Sequence, residues 1–306
     1  MTTVYTDYLA ARAAVDPNIV MLDNDLAHAS GGYAFGQKFP ERYLNVGVAE
    51  ANCVSIAAGM AAQGFVPFVN SLVSFITRRC YDQLFISVAY SGLNVKVVGT
   101  RPGVTCEMNG GTHCGMEDAG IMRTIPGFTV VDAADNTALR KLLPQITDLP
   151  TPVYLRFDGK KIRKIYHDED EIVLGKANVI AEGRDVTVIA NDLMVGYAMD
   201  ASDMLEAEGI SVGILDMHTI KPIDTEAVLA AAARGPILVA ENHSIINGLG
   251  SAVAEVLAEH GCGVKMARFG FRDCFGVVGR TSDEVAEMIG VTPRDMAAAI
   301  RELLGR

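Results

Sequence analysis

The sequence of 306 residues lacks any uninterrupted apolar run long enough to span a membrane, and its first residues contain neither the basic cluster nor the apolar segment of a secretory signal. We therefore expect a soluble, cytoplasmic protein without a membrane partner. Basic residues are scarce as well: 26 Lys and Arg against 37 Asp and Glu give a formal net charge of −11. Nucleic-acid binding depends on clustered cations, so this composition argues against a nucleic-acid partner. Small anionic substrates stay compatible with it wherever a few arginines converge.

Paired cysteines are also missing from the sequence. The six cysteines form no CxxC pair and have no histidines at zinc spacing; they are Cys53, Cys80, Cys106, Cys114, Cys262 and Cys274. Neither a disulfide framework nor a metal site on this chain is favoured, and we expect reduced thiols, most of them in the core.

What the sequence does contain is a regular alternation of predicted strands and helices. Its length and its hydrophobic content of 50% suffice for about two domains with substantial cores. The predicted strands are 19–22, 43–48, 66–68, 95–99, 129–132, 153–156, 186–190, 211–216, 237–241 and 264–269. The predicted helices are 6–15, 51–62, 77–90, 117–124, 136–147, 194–208, 224–233, 248–259 and 293–304. This alternation indicates an α/β fold of mostly parallel sheets covered by helices on both faces.

A charged, weakly apolar segment at residues 160–171 separates two such units and is typical of a solvated connector. We predict a first domain at residues 1–160, a linker at 161–184 and a second α/β domain at 185–306. In the second domain, Gly248-Leu-Gly250 matches part of a dinucleotide fingerprint but lacks its third glycine. Close packing at the start of a helix is therefore favoured there.

Glu50 stands between an apolar run at 43–48 and a small-residue segment at 51–60. This pattern predicts a carboxylate at a junction between a strand and a helix. Apolar surroundings would raise the pKa of such a carboxyl and make it a candidate for acid–base chemistry. A helix-start glutamate that faces water is the alternative, because acidic residues are common in first turns.

Other polar residues follow predicted strands, where active residues of parallel sheets lie. They are Asp25 and His28 in a polar loop after residue 22, the Gly-rich loop 101–115, and Arg156 at the end of its strand. A loop as long as 101–115 inside a compact domain is more often functional than idle.

Four segments in this order resemble the thiamine-diphosphate enzymes. They are the strand–Glu50–helix stretch, residues 67–83 with Phe75, Arg79 and Tyr81-Asp-Gln83, the sequence Asn109-Gly-Gly-Thr-His113, and Tyr154-Leu-Arg156. The resemblance is closest to the C-terminal half of transketolase, in the form in which the enzyme is divided between two chains. It covers essentially all 306 residues and implies a pyrimidine-binding domain followed by a transketolase C-terminal domain.

The resemblance implies roles for the cofactor-binding residues. Glu50 matches the glutamate that holds the aminopyrimidine ring and promotes the tautomer that takes a proton from the thiazolium. Phe75 is the candidate for stacking on the pyrimidine, with Leu72 as the alternative position. Arg79 is placed beside them, and Asp25 lies in the loop that resembles an intersubunit cofactor contact.

Substrate-binding residues are implied in the same way. His113 corresponds to the substrate-loop histidine, and an imidazole there can hydrogen-bond hydroxyls and move protons near neutral pH. His28 is likewise implied to bind substrate. Arg156 resembles a phosphate-binding arginine that Arg101 could reinforce. Asn109 and Arg101 stand where the family commonly has aspartate and histidine, so the donor sugar stays open. His218 and His243 in the second domain are predicted to be structural.

The family binds its diphosphate through Mg²⁺ held by a Gly-Asp-Gly motif, which this sequence lacks. The resemblance therefore implies a transketolase subunit that transfers a two-carbon ketol unit between sugar phosphates, with a second chain supplying the diphosphate domain. The expected assembly is an α2β2 heterotetramer, with contacts between like chains through the pyrimidine and C-terminal domains.

Three alternatives stay open. The chain could be the β subunit of the first component of a 2-oxoacid dehydrogenase, or a fragment like deoxyxylulose-phosphate synthase. In another class, it could be a non-catalytic scaffold subunit.

Overall fold

The computed structural model describes residues 3–158 and 163–306. The domain boundary predicted at residue 160 and the connector residues Lys160 and Lys161 lie outside the described residues. The strands are β1 Ile19–Asp23, β2 Tyr43–Asn45, β3 Val66–Leu72, β4 Lys96–Thr100, β5 Thr129–Asp132, β6 Val153–Phe157, β7 Asn178–Ala181, β8 Val186–Ala190, β9 Val212–Asp216, β10 Thr219–Lys221, β11 Ile237–Ser244 and β12 Met266–Phe271.

The α-helices are α1 Val4–Val15, α2 Ala27–Ser30, α3 Gly32–Lys38, α4 Glu50–Ala62, α5 Val73–Arg78, α6 Asp118–Arg123, α7 Asn136–Asp148, α8 Leu193–Glu206, α9 Thr225–Arg234, α10 Leu249–Glu259, α11 Ser282–Ile289 and α12 Pro293–Leu304. Residues Pro40–Arg42 and Gly103–Thr112 form 3₁₀ segments, and Gln83–Tyr90 is wound as a π-helix.

The strands form two sheets, in the orders β10-β5-β6-β4-β3-β1-β2 and β12-β11-β8-β9-β7. All pairings are parallel except those of β10 with β5 and of β7 with β9. The α/β fold predicted from the alternation of elements is confirmed. The short strand β10 was not predicted, and it carries residues of the second half of the chain to the edge of the first sheet.

Central strands are buried along their whole length because helices cover both faces of the sheet. Ile19 and Met21 of β1 belong to the core that contains α1 and α7. Val20 and Leu22 belong to the opposite core layer, with α4 and the π-helix. Alternate residues of a strand point to opposite faces, so a continuous apolar run satisfies both layers at once.

Several predicted local structures were wrong. The polar loop predicted around His28 contains the short helices α2 and α3. The single helix predicted at 77–90 is divided into α5 and the π-helix, since the chain turns at Arg79 and Cys80 between them. Helix α11 and strand β7 were not predicted, because their short apolar patterns do not stand out from the flanking loops.

Candidate functional site

Glu50 begins helix α4, directly after the connection from β2, as the apolar–acidic–small pattern predicts. Its side chain is buried, with 3% of the residue exposed. Both carboxylate oxygens accept hydrogen bonds from Arg79 Nη1 at 3.2 Å. Nearby, burial raises the pKa of the Cys53 and Cys80 thiols to about 12. The prediction that Glu50 lies in apolar surroundings is therefore correct only in part, because the Arg79 guanidinium contacts its carboxylate.

Arg79 joins Glu50 to two further residues of the predicted site. Its guanidinium lies over the Phe75 ring, 4.2 Å from the centroid. The edge of the same ring meets His113, with 4.9 Å between centroids and an interplanar angle of 66°. His113 Nδ1 hydrogen-bonds Thr112 Oγ1 at 2.7 Å. Carboxylate, cation, aromatic ring and imidazole thus form one continuous row of contacts.

Leu72, the alternative to Phe75, ends β3 and is only 5% exposed. Phe75 lies in helix α5 and keeps part of its surface open. An aromatic face that is partly accessible can stack on a bound ring, whereas a buried aliphatic side chain mainly fills the core.

The loop that carries Asn109 and His113 is closed at its base by the hydrogen bond from Gly103 N–H to Gly115 O at 3.0 Å. Asn109 is exposed, and its Nδ2 donates to Cys106 O at 2.9 Å. Arg101 begins the loop directly after β4 and has φ +58°. We name residues 101–115 the substrate loop, after the role that the resemblance implies.

Arg78 was missed by the sequence reasoning. Its Nη2 donates to Thr112 O at 3.3 Å, and its Nε lies 3.0 Å from a carboxylate oxygen of Glu117. These contacts tie α5 to the substrate loop next to His113. The only available signal was the Arg78-Arg79 pair itself, because nothing in the local sequence shows which of the two arginines reaches the loop.

Asp25 and His28 lie on a separate stretch of surface after β1. Asp25 is exposed, has φ +60°, and exchanges two hydrogen bonds with Asn45 of β2. His28 is exposed and stacks on Tyr33 with 5.1 Å between ring centroids. Both residues are accessible, but Asp25 contacts Asn45 and His28 contacts Tyr33, rather than Glu50.

The predicted role of Arg156 as a phosphate ligand conflicts with its position. The residue is fully buried, and three of its nitrogens have protein acceptors: Asp118 Oδ2 at 2.8 Å, Asp132 Oδ2 at 2.5 Å and the carbonyl oxygen of Asn242 at 2.6 Å. A guanidinium that is enclosed and engaged in this way cannot also meet a substrate phosphate. The strand end was correctly located, but the C-terminal half of the chain covers it.

The cluster around Arg156 is a buried charge network. Burial raises the pKa of Asp132 and also that of Asp192, whereas the guanidinium acts in the opposite direction on both. Asn242 links the network to the substrate loop, since its Nδ2 bonds both Asp192 Oδ2 at 2.8 Å and Pro102 O at 3.1 Å. The network therefore connects the two sheets and the base of the loop.

The remaining polar motifs have structural partners. His243 Nε2 accepts from the N–H of Gly120 at 3.1 Å, while burial lowers the pKa of His218 to about 4. At Gly248-Leu-Gly250, the Glu241 carboxylate accepts from the N–H groups of Leu249 and Gly250 at 2.7 and 2.9 Å. A side chain thus binds the helix start, in agreement with the predicted packing role.

Two family models match consecutive parts of the chain: the transketolase pyrimidine-binding domain over residues 1–164 and the transketolase C-terminal domain over residues 175–296. The chain belongs to the transketolase family. Members of this family are thiamine-diphosphate enzymes, and this member is a subunit of a transferase of the transketolase type.

Curated relatives extend along most of this transketolase subunit. A 6-deoxy-6-sulfo-D-fructose transketolase subunit of Clostridium sp. strain MSTE9 is 48% identical over 303 residues, covering 99% of the chain and 94% of the relative. An apulose-4-phosphate transketolase subunit of Phocaeicola vulgatus is 37% identical over 258 residues, covering 84% and 83%. A 1-deoxy-D-xylulose-5-phosphate synthase of Geobacter sulfurreducens is 35% identical over 307 residues, but the match spans only 48% of that enzyme.

A solved structure described as a split-gene transketolase, in an inactive β4 tetramer, resembles the transketolase subunit with a TM-score of 0.89. It is 34% identical, with coverage of 99% of this chain and 97% of that one. These similarities support a partner chain and an oligomeric enzyme. Within the described residues, no helix is long and apolar enough to cross a membrane.

Proposed function

We propose that this chain supplies the pyrimidine-facing half of a thiamine diphosphate site, and that a partner chain supplies the diphosphate half with its Mg²⁺. The observation that carries the proposal is the arrangement of Glu50, Phe75 and Arg79. A planar group with N–H donors, the Arg79 guanidinium, bonds the Glu50 carboxylate and lies over the Phe75 ring. An aminopyrimidine ring would need the same two contacts.

Each residue of the row has a chemical task in this proposal. Thiamine diphosphate, when bound, supplies an acidic carbon that acts as the nucleophile of ketol transfer. The Glu50 carboxyl holds and shares a proton at a ring nitrogen, and the enclosed site strengthens that hydrogen bond. Phe75 orients the ring, while His113 donates to or accepts from substrate hydroxyls near neutral pH. Asp25 and Arg79 are retained as cofactor contacts, and His28 as a substrate contact at the partner interface.

We propose a ketose with an anionic end as the donor. Among the arginines predicted to bind substrate, Arg101 is the one that stays available, because Arg156 is enclosed. The Arg101 guanidinium suits a tetrahedral anion, and Asn109 lies in the same loop as Arg101. Sugar phosphates are the first candidate class. A sulfonated ketose is the second, favoured by the relative that is 48% identical and is described as acting on 6-deoxy-6-sulfo-D-fructose.

The wider assignment belongs to the same proposal. A partner chain is supported by the missing Gly-Asp-Gly motif and by the split-gene neighbour, and α2β2 is the assembly that we propose for the active enzyme, whereas that neighbour is an inactive β4 tetramer. The division into residues 1–160, 161–184 and 185–306 is supported by the two separate sheets, although β10 joins the first sheet and β7, within the predicted linker, belongs to the second. A cytoplasmic location is supported by the six free cysteines.

The test begins with the chain alone, titrated calorimetrically with thiamine diphosphate and Mg²⁺. The titration is then repeated with a partner chain that carries a Gly-Asp-Gly motif. Weak or absent binding followed by tight binding in the complex is expected. Tight binding and turnover by the chain alone would overturn the divided site. In the active complex, Glu50→Gln should lower kcat by roughly 10²- to 10⁴-fold.

The same complex separates the alternatives. Product analysis with pyruvate against a ketose phosphate and a sulfonated ketose distinguishes a deoxyxylulose-phosphate synthase or a 2-oxoacid dehydrogenase from a transketolase. A loss of about tenfold or less in Glu50→Ala would favour a scaffold role, because such a loss is smaller than general acid–base groups normally contribute.

A further inference from the structure

The C-terminal half of the chain holds the base of the substrate loop. Asn242 Oδ1 accepts from Val104 N–H at 3.0 Å, and Asn242 Nδ2 donates to Pro102 O at 3.1 Å. Gly103 lies between these contacts with φ +50°, and a Cβ there would stand 2.1 Å from Asn242 Oδ1. The approach is therefore so close that only glycine fits.

A second contact holds the middle of the loop. Ser282, the first residue of α11, donates to Glu107 Oε1 from its N–H at 3.1 Å and from its Oγ at 3.0 Å. Glu107 has φ 52° and ψ −114°, a conformation that costs a non-glycine residue about 1–3 kcal/mol. Such a backbone persists only where the surroundings hold it, and the two bonds from Ser282 provide that restraint.

The far side of the loop has little room to shift. Gly110 has φ +64°, and a Cβ there would lie 2.9 Å from Val278 Cγ2. A Cβ on Gly111 would lie 3.3 Å from the carbonyl oxygen of Gly276. Asn109 and His113 flank these two glycines, so the C-terminal half limits the paths that the loop can take between them.

We propose that Glu107 and Ser282 form a positioning pair that fixes the conformation of the substrate loop and thereby the affinity for the donor sugar. This rests on the proposed function, in which Asn109 and His113 meet the substrate. Glu107 precedes Asn109 by two residues, so relaxation of its φ to an ordinary negative value would redirect the peptide groups that carry both side chains. The C-terminal domain thus takes part in substrate selection without contacting the reacting atoms.

The experiment uses the complex reconstituted with its partner chain and compares four variants. Glu107→Ala removes the acceptor but keeps a Cβ, so the cost of the positive φ stays while the restraint is lost. Glu107→Gln keeps an acceptor oxygen, and Ser282→Ala removes one of the two donors. Glu208→Ala is the matched control, because it breaks a surface pair with Arg301 (N···O 2.6 Å) in the same half of the chain. Donor KM, kcat and thiamine diphosphate affinity are measured for each.

We expect Glu107→Ala to lower kcat/KM by roughly 10- to 100-fold, mostly through donor KM, because small misplacements of binding groups have effects of this size. Ser282→Ala should raise KM by at least about threefold, Glu107→Gln should stay nearer the wild type than Glu107→Ala, and Glu208→Ala should match the wild type. Cofactor affinity should change by less than about twofold in all four. A merely structural contact would instead lower the melting temperature without a selective change in KM.

The proposal is overturned if Glu107→Ala and Ser282→Ala both keep the donor KM of Glu208→Ala. Should Glu107→Ala fail to fold, Ser282→Ala decides alone, since it removes a single hydroxyl and unchanged donor KM would contradict the pair. Glu50→Gln in the same assay separates the two proposals. If it keeps full activity, the proposed function fails; if it is inactive while the pair variants behave like the control, only the positioning role fails.

Discussion

Replacement of Arg156 by methionine should destabilise the protein rather than weaken a phosphate contact. The side chain is 0% exposed, and its three donor contacts of 2.5–2.8 Å end on two carboxylates and one carbonyl. Methionine fills much of the volume but leaves Asp118 and Asp132 without their cation. Breaking a buried pair in this way costs about 3–5 kcal/mol. At about 2 °C per kcal/mol for a chain of this size, the melting temperature should fall by roughly 6–10 °C.

The loss of stability in Arg156→Met should depend on pH. Burial raises the pKa of Asp132, and the Arg156 guanidinium opposes that rise. Without the guanidinium the folded-state pKa moves higher still, so the folded variant binds a proton that the unfolded chain releases. Stability of the variant therefore falls as pH increases toward the new pKa, and the difference in stability from the wild type should grow as pH rises.

Thermal unfolding followed by far-UV circular dichroism is the assay, since the chain contains no tryptophan for fluorescence. Arg156→Lys is the intermediate case, because an ammonium keeps the charge but not the fork that reaches three acceptors. The triple variant that adds Asp118→Asn and Asp132→Asn should recover most of the lost stability. An Arg156→Met protein with wild-type unfolding and a raised KM for a phosphorylated donor would refute the reasoning and restore the phosphate-binding role.

Two further predictions concern the ring contact and a buried acid. Phe75→Ala should weaken thiamine diphosphate binding to the complex by roughly 2- to 12-fold. Leu72→Ala should instead lower the free energy of unfolding, by about 2–5 kcal/mol. Cofactor titration and thermal unfolding of both variants would show whether the roles are reversed. Burial raises the pKa of Asp216 to about 7, and Tyr166 Oη–H donates to it at 2.6 Å. The folded state therefore binds this proton more tightly, and stability falls as pH rises from about 4 to 7. Asp216→Asn should remove that fall and gain roughly 1–4 kcal/mol above pH 7, with little gain near pH 4; an equal effect at both pH values would contradict it.

The sequence was sufficient for features that depend on local pattern. Glu50 was located at the start of a helix because an apolar run, a carboxylate and a small-residue segment follow one another within a few residues. The alternation of strands and helices likewise predicted two α/β units with mostly parallel sheets. These signals need no knowledge of contacts between distant residues.

Features that depend on contacts between distant residues could not be predicted from the sequence. The enclosure of Arg156 is created by Asn242, which lies 86 residues further along the chain. The hydrogen bond from Ser282 to Glu107 joins residues that are 175 positions apart in the sequence. A strand-end arginine and a loop glutamate look the same in sequence whether or not another part of the chain covers them, so their roles could be assigned only from the fold.

The contact between Arg79 and Glu50 has a consequence for cofactor binding in the proposed function. Because the guanidinium occupies both the carboxylate and the ring face of Phe75, the pyrimidine ring can take its place only if the Arg79 side chain shifts, so Arg79 would contact the cofactor from another position. Arg79 is half exposed, so solvent screens the pair and its loss costs at most about 1 kcal/mol. New contacts to the ring would roughly offset that cost without leaving much net affinity. Stable cofactor binding must then come from the diphosphate, whose ligands the partner chain would supply, and this is why the isolated chain is expected to bind thiamine diphosphate weakly.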